Sequence, residues 1–411
     1  MIDTLRADRL GCYGGPTDVS PDLDALAVDG VMFEDVLAPC SWTRPSIAGL
    51  VTGLHPRSLG IFSEEGDSLP PGVPTLAEIL QERGWATYGI TANPNINTCY
   101  GFARGFDDYV DSDVVFNFME REGDQTTYAF GQTALPRSRQ ILKRALEWAE
   151  DHAGRPGFLQ IDLMEVHEHE RQLRPGFKDR FADHPDQGYM AAIAQVSSDL
   201  GAFVESLREV PAWEDALVVI TSDHGEALEG DHPDVVVKPH GDLLYETQLR
   251  VPLILSQPGV LAPRRVEAAV RLIDVMPTIV ELCGLTLDVP THGVSLAGLA
   301  RAGVVPQLPE VFVAETAWRE RDKLAVYSED WRLIENRDGH PGTDAAELQR
   351  AGGGENGSAT NHIGDNGEVA AELSRHLELW EERFPRAGST EGEPLGESAR
   401  QQLREIGYAG D

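Results

Sequence analysis

Three short segments carry side chains able to bind a metal and attack an ester. Asp223 and His224 follow the apolar and β-branched run Leu217 to Thr221, which reads as a buried strand. A carboxylate and an imidazole at the carboxyl end of a parallel strand stand where open α/β sheets bind ligands. Both are hard-to-borderline metal ligands. Thr43 lies two residues before Pro45, which suits the first turn of a helix running to about Val51 with Gly53 as its stop. The Thr43 hydroxyl then sits at a helix N-terminus, where free N–H groups and the helix dipole favour an anion. A hydroxyl so placed can attack a sulfate or phosphate ester, and the same residue also reads as a plain N-cap. Asp3, in the third segment, closes a strand. An alcohol at its free pKa is a poor nucleophile and needs a metal or a base beside it.

The elements that position these residues follow from periodicity. Strands near 31–37, 86–92, 157–163, 216–221 and 251–256 alternate with helical patterns near 73–84, 138–153 and 189–209. That alternation predicts a parallel sheet with helices on both faces. Another helix spans Val275 to Cys283, with Gly284 as its stop. From about 305 the texture changes. Runs at Val311–Ala317, Leu324–Tyr327 and Trp331–Ile334 predict a small antiparallel sheet, with an amphipathic helix over Val369 to Phe384 packed on it. Gly352 to Gly357 reads as a flexible loop. Residues 386–400 are polar and rich in Gly, Ser and Glu, which predicts mobility. The chain therefore divides into a catalytic domain over 1–304, a small antiparallel sheet plus helix over 305–385, and a mobile tail over 386–411.

At these residues the chain resembles the sulfatase family of the alkaline-phosphatase superfamily. Asp3-Thr4-Leu5-Arg6-Ala7-Asp8-Arg9-Leu10-Gly11-Cys12-Tyr13-Gly14 is similar to the family's opening motif, whose first Asp binds the metal. Ser20-Pro21-Asp22-Leu23-Asp24-Ala25-Leu26-Ala27 with Gly30 and Phe33 resembles the helix and strand that follow. Pro45-Ser46 with Leu50, Thr52 and Gly53 matches the nucleophile signature. Gly105-Phe106-Asp107, Leu244-Tyr245-Glu246 with Arg250 to Ile254, and Asp274 to Ile279 keep the family's order over roughly residues 1–285. Leu403, Ile406, Gly407 and Tyr408 look like the end of many members. The resemblance implies an α/β fold of alkaline-phosphatase type: a large, mostly parallel sheet sandwiched by helices, with a small C-terminal α+β subdomain.

The departures sharpen the functional expectation. Sulfatases proper carry Cys or Ser, oxidised to formylglycine, where this chain has Thr43; the extra methyl prevents that aldehyde. The Arg two residues after the Pro is Ile47 here. A rival register makes Cys40 the nucleophile with Arg44 four residues on. It puts Trp42 where Pro belongs and misaligns Leu50, Thr52 and Gly53. Thr is the nucleophile of phosphodiesterase-type relatives. Thr4 replaces a second acidic residue of calcium-dependent arylsulfatases, and His224 stands where those enzymes carry Asn. The implied site holds one divalent ion (Mn, Zn, Ca or Mg) on Asp3, Asp223 and His224, with the imidazole favouring manganese or zinc over calcium. Glu165 and His167 occupy the positions of an Asp-Pro-His motif whose His faces the leaving group, with Val166 replacing the Pro. His240 matches an active-site Gly-His-Gly position. Lys238 and Asn93 are expected to touch the substrate anion. Glu165, His169 and His240 could hold a second metal. The expected function is a metal-dependent hydrolase of sulfate or phosphate esters, with phosphodiesters or phosphonate esters favoured. Two alternatives are an arylsulfatase-like sulfuric ester hydrolase and a non-catalytic anion-binding relative.

Composition sets the context. The chain has 411 residues and a formal net charge of -34. Only four lysines stand among its 34 basic residues. That excess of acid suits high salt, where self-repulsion is screened. No basic cluster exists to hold nucleic acid. The expected partner is a small-molecule, glycan or lipid ester, and oligomeric state is unreadable. Cys12, Cys40, Cys99 and Cys283 show no paired spacing, which with the lack of a signal peptide or membrane-spanning run predicts a cytoplasmic, reducing setting. Met1-Ile2-Asp3 falls inside a strand that should hold about six apolar residues, which predicts a start internal to a longer chain.

Overall fold

In the computed structural model the described residues are 1–62, 66–112, 138–169, 173–174, 176–228, 231, 240–319, 321–339, 344–351, 360–392, 400–401 and 403–404. Lys238 and the segment Gly352 to Gly357, expected to be a flexible loop, lie outside them.

The large sheet forms from short apolar strands. β1 (Val31–Phe33), β3 (Ala86–Thr91) and β7 (Leu253–Ser256) are buried at every position. Strands covered on both faces need apolar side chains on both, not alternation. β3 pairs in parallel with β4 (Asp108–Val110) and β5 (Gly157–Asp162). Residues 1–3 continue from β5: Ile2 bridges Leu163 in parallel, and its N–H donates to Thr221 O at 3.0 Å at the end of β6 (Val218–Thr221). Beyond β6 the order runs β7, β1 and β8 (Arg264–Val266). β2 (Val36–Leu37) pairs in parallel with β9 (Val270–Arg271). Two expectations change. The strand expected over 31–37 splits into β1 and β2, which have different partners. β7 runs antiparallel to both β6 and β1, an exception within a mostly parallel sheet. No long crossover helix joins β6 to β7 among the described residues, and a parallel pair needs one.

Helices cover both faces. On one, Ser138–Asp151 and Gln187–Glu209 bury Ile141, Trp148, Tyr189 and Leu200 with Leu23 of Pro21–Val28. On the other, Thr43–Thr52 and Val275–Leu282 bury Ile47, Val51 and Val275. Leu76–Glu82 starts with a full capping box: Glu78 N–H donates to Thr75 Oγ1 at 3.2 Å, and Thr75 N–H donates to Glu78 Oε2 at 2.9 Å.

The C-terminal part is an antiparallel meander, β10 (Phe312–Trp318), β11 (Arg321–Tyr327), β12 (Trp331–Asn336) and β13 (Ala346–Arg350). β13 was not foreseen. Helix Gly367–Arg383 packs Leu373 and Leu377 on Leu324, Val326 and Leu348. The segment 386–392, expected to be mobile, hydrogen-bonds back to the body. Ala387 N–H donates to Arg57 O at 2.8 Å, and Ser68 N–H donates to Thr390 O at 2.8 Å. Leu403 is buried with Cys40, Trp42 and Trp318.

Candidate active site

The carboxyl ends of three neighbouring strands converge on one point. Asp3 ends the first, and the next residue, Thr4, holds φ at 57°. A non-glycine residue in the left-handed region costs about 1–3 kcal/mol and persists only where its surroundings hold it. Here they do. Tyr189 Oη donates to Thr4 O at 2.6 Å, Thr4 N–H donates to Asp223 Oδ1 at 3.3 Å, and Leu5 N–H donates to Ser222 Oγ at 2.9 Å. Asp223 and His224 leave the end of β6. His224 Nδ1 sits 2.9 Å from Gly225 O, a contact only an N–H can make favourably, so its Nε2 carries the lone pair. Burial lowers the His224 pKa to about 4 against the raising charge of Asp223, which keeps the ring neutral.

That lone pair points among the two carboxylates. His224 Nε2 lies 3.3 Å from Asp223 Oδ2 and 4.0 Å from Asp3 Oδ1. Both oxygens are buried with no hydrogen-bond partner. One ligand atom from each of the three residues lies within 4.8 Å of the other two. Burial, followed by the Asp223 charge, holds the Asp3 carboxyl well above the usual range. Two bare buried carboxylate oxygens and an imidazole lone pair fit one divalent cation.

Thr43 stands at the edge of this cluster. Trp42, not Thr43, is the residue before the helix; Thr43 is its first residue and is fully buried. Its Oγ1 lies 3.3 Å from His224 Nε2. Asn93, just beyond β3, fixes the other side. Asn95 N–H donates to Asn93 Oδ1 at 2.8 Å, which turns Asn93 Nδ2 toward Asp3 Oδ2 at 2.5 Å and Thr43 Oγ1 at 3.4 Å. Ser46 Oγ donates to Asp223 O at 2.5 Å and ties the helix to the loop after β6.

Two further imidazoles complete the cavity wall. The His167 and His240 ring centroids are 5.0 Å apart, and His240 is 4.9 Å from His224. His167 Nδ1 meets Glu168 Oε1 at 3.1 Å, and His240 Nδ1 meets Glu226 Oε1 at 3.1 Å. Burial opposes charge on His167, yet the Glu168 hydrogen bond and the Asp3 charge outweigh it and push its pKa up to about 9. For His240 burial and the His167 charge act together and lower it to about 3. Paired titratable groups pushed apart in this way divide naturally into acid and base. The far wall comes from the C-terminal sheet: Trp318 of β10 lies 6.2 Å from His240, nearly parallel, and Thr316 Oγ1 donates to Gly241 O at 2.5 Å. Gly241 has φ of 101°, and a Cβ there would meet the Trp318 ring at 2.0 Å.

A Sulfatase family model matches residues 1–285. The chain belongs to the sulfatase family. Bovine arylsulfatase A (Bos taurus) is 25% identical over 342 residues, covering 73% of this chain and 66% of that protein. The chain thus spans about two thirds of the length of that curated relative. The phosphonate monoester hydrolase of Agrobacterium radiobacter superposes with a TM-score of 0.74 at 19% identity, covering 94% of this chain and 95% of that one. A structure from a Bacteroides thetaiotaomicron locus for glycosaminoglycan metabolism gives 0.75 at 16% identity, covering 93% and 95%. At these identities the structures share the fold.

In this sulfatase-family chain the structure gathers Asp3, Thr43, Asn93, His167, Asp223, His224 and His240. Glu165, expected to share a second metal with His169 and His240, is directed elsewhere. Its Oε1 accepts from Ser138 N–H at 2.5 Å and Ser138 Oγ at 2.6 Å, and His169 Nδ1 lies 3.1 Å from Val166 O. Among the described residues that trio forms no ligand cluster. Cys40 and Arg44 of the rival register are not part of the Asp3, Asp223 and His224 cluster. Burial pushes the Cys40 thiol pKa up, and Arg44 Nε donates to Asn95 O at 3.1 Å with its guanidinium 3.5 Å above the Tyr100 ring. Glu226, Glu168 and Trp318 were missed. Glu168 adjoins His167 and could have been found from that adjacency; Glu226 and Trp318 carry no local signal.

Proposed function

We propose that this chain is a metal-dependent ester hydrolase with Thr43 as nucleophile, and that phosphodiesters or phosphonate esters are preferred over sulfate esters. The observation that carries the reading is the buried Thr43 Oγ1, 3.3 Å from His224 Nε2 at the start of a helix and beside two bare carboxylate oxygens. Asp3, Asp223 and His224 would hold one divalent cation, which would favour the Thr43 alkoxide and neutralise charge on the ester oxygens. Asn93 Nδ2 orients the Thr43 oxygen. Thr43 Oγ1, its proton given up to solvent, forms the new bond to phosphorus as the bond to the leaving oxygen breaks, and His167, held charged by Glu168, gives that oxygen its proton. His240, neutral and aimed by Glu226, takes a proton from the water that displaces Thr43 in the second half. Such displacements need charge stabilisation and alignment above all. A Thr hydroxyl acts directly, with no oxidation to an aldehyde, which supports phosphoryl over sulfuryl transfer. Small-molecule, glycan and lipid esters remain the candidate substrates.

A turnover screen over phosphodiesters, phosphonate monoesters, phosphomonoesters and aryl sulfates, with manganese or zinc present, tests the reading. Thr43→Ala should lose roughly a thousandfold or more, about 4 kcal/mol. Cys40→Ala should keep most activity. A dead Cys40→Ala with an aldehyde at position 40 in the intact chain would make this a formylglycine sulfatase. No turnover of any ester at full metal loading would make it a non-catalytic anion binder.

A further inference from the structure

Helix Thr43–Thr52, about 15 Å long at 1.5 Å per residue, separates Thr43 from His55, which lines a second cleft. This cleft holds about 480 Å³ and lies between the body and helix Gly367–Arg383. That volume is within the range of small-molecule sites. At its base is His55, only 2% exposed, with neither ring nitrogen hydrogen-bonded. A neutral imidazole has one donor and one acceptor, and each costs on the order of 1–3 kcal/mol when buried without a partner.

The surroundings define what would satisfy it. His55 N–H donates to His292 Nδ1 at 3.0 Å, so His292 carries its proton on Nε2 as a donor. The two imidazoles stack at 5.3 Å, and Phe384 lies 4.8 Å and Trp380 5.1 Å from the His55 ring. Leu308, Phe312 and the half-exposed Leu379 extend the apolar wall. Burial, then the charge of Arg271, with His292, Arg57 and Arg383 acting in the same sense, keeps the His55 ring neutral. Arg271 engages Asp274 and His292 O through Nε and Nη2, whereas Arg383 is exposed on the last turn of its helix. The acidic lining residue is Glu310, which is exposed. Two guanidinium groups, Arg271 and Arg383, line this aromatic cleft in a chain of net charge -34, while Arg57 behind it is held by Glu381 at 3.1 Å.

We propose that this cleft binds a small aromatic anion. Its ring would lie among Phe384, Trp380 and His292, and its acidic group would meet Arg383 and the donor nitrogens of His55 and His292. Aromatic stacking and a guanidinium contact suit a planar ligand with one acidic group. The site is separate from the ester chemistry and does not depend on it.

The test is calorimetric titration of the full chain with 2-naphthalenesulfonate, 2-naphthoate and neutral 2-naphthol. One saturable site for the anions is expected, with 2-naphthol markedly weaker. Thr43→Ala should leave the affinity unchanged, because the active site is not involved. Arg383→Gln, at an exposed position, should weaken binding about fivefold and leave ester turnover as in the wild type. His55→Phe, which keeps the ring contacts, should weaken it about tenfold. Absence of saturable binding, equal binding of 2-naphthol, loss of binding in Thr43→Ala, or indifference to both Arg383→Gln and His55→Phe would overturn the proposal.

Discussion

Asp223→Asn should stabilise the metal-free protein and abolish its response to metal. Asp3 and Asp223 place carboxylate oxygens within 4.8 Å of each other in a buried site. At an effective dielectric of about 20, two unit charges at that distance repel by about 3.5 kcal/mol. Asp3 relieves part of this by holding its proton more tightly, since burial and the Asp223 charge raise its pKa. The gain on removing the Asp223 charge is therefore at most about 3 kcal/mol. Asparagine keeps an oxygen for the Thr4 and Ser222 contacts, and its nitrogen can donate to His224 Nε2, 3.3 Å away in the native pair. The wild type should gain about 4 kcal/mol from a cation held a thousandfold above its dissociation constant, and the variant should gain none. Urea unfolding at pH 8, in EDTA and then in millimolar manganese chloride, should show the stability order reverse. A variant less stable than wild type in EDTA, or one that keeps the full manganese response, would refute the assignment of these carboxylates to a cation site.

Two further outcomes follow from buried partners. Glu226→Ala should lower kcat/KM about 10- to 100-fold by leaving His240 unaimed, while Glu226→Gln, which still accepts from Nδ1, should retain most activity; equal losses in the two variants would deny Glu226 its orienting role. Glu315 is buried in β10 near Arg57 and Arg386, and burial pushes its pKa up to about 7 against the pull of those two arginines. The folded state then binds more protons than the unfolded one between about pH 4.5 and 7, so stability falls as pH rises through that window. Glu315→Gln should lack this fall and gain on the wild type by up to about 3 kcal/mol by pH 8, as read by urea unfolding across pH 5 to 8. A difference that does not change with pH would place the cause elsewhere.

Much of the site was legible because each of its parts sits at the end of a local pattern. The run before Asp223 reads as a strand, and Pro45 and Gly53 bracket a helix that the structure places at Thr43–Thr52 with Gly53 at φ 68°. The rest depends on contacts across the chain. Glu226 and His240 are 14 residues apart, and no local pattern in the sequence sets their approach. Trp318 reaches His240 only because the C-terminal meander docks beside it. Glu165 matched a motif position, yet Ser138 N–H and Oγ, 27 residues earlier, claim its carboxylate. The direction of β7 was misread because a buried strand shows the same apolar run whichever way it points.

Residues 1–3 lie between the end of β5 and the end of β6, bonded to Leu163 and Thr221. This placement governs the order of events during synthesis. Asp3 leaves the ribosome more than two hundred residues ahead of its partners at 223 and 224. At about 5–20 residues per second the delay is on the order of 10–40 s. Until Leu163 has emerged the segment has neither flanking strand, and until Thr221 it has only β5. Closing a loop of that length is a late, high-contact-order step. The Asp3, Asp223 and His224 cluster therefore forms near the end of folding, so an ion held there would lock the finished sheet and slow its opening but would not nucleate it.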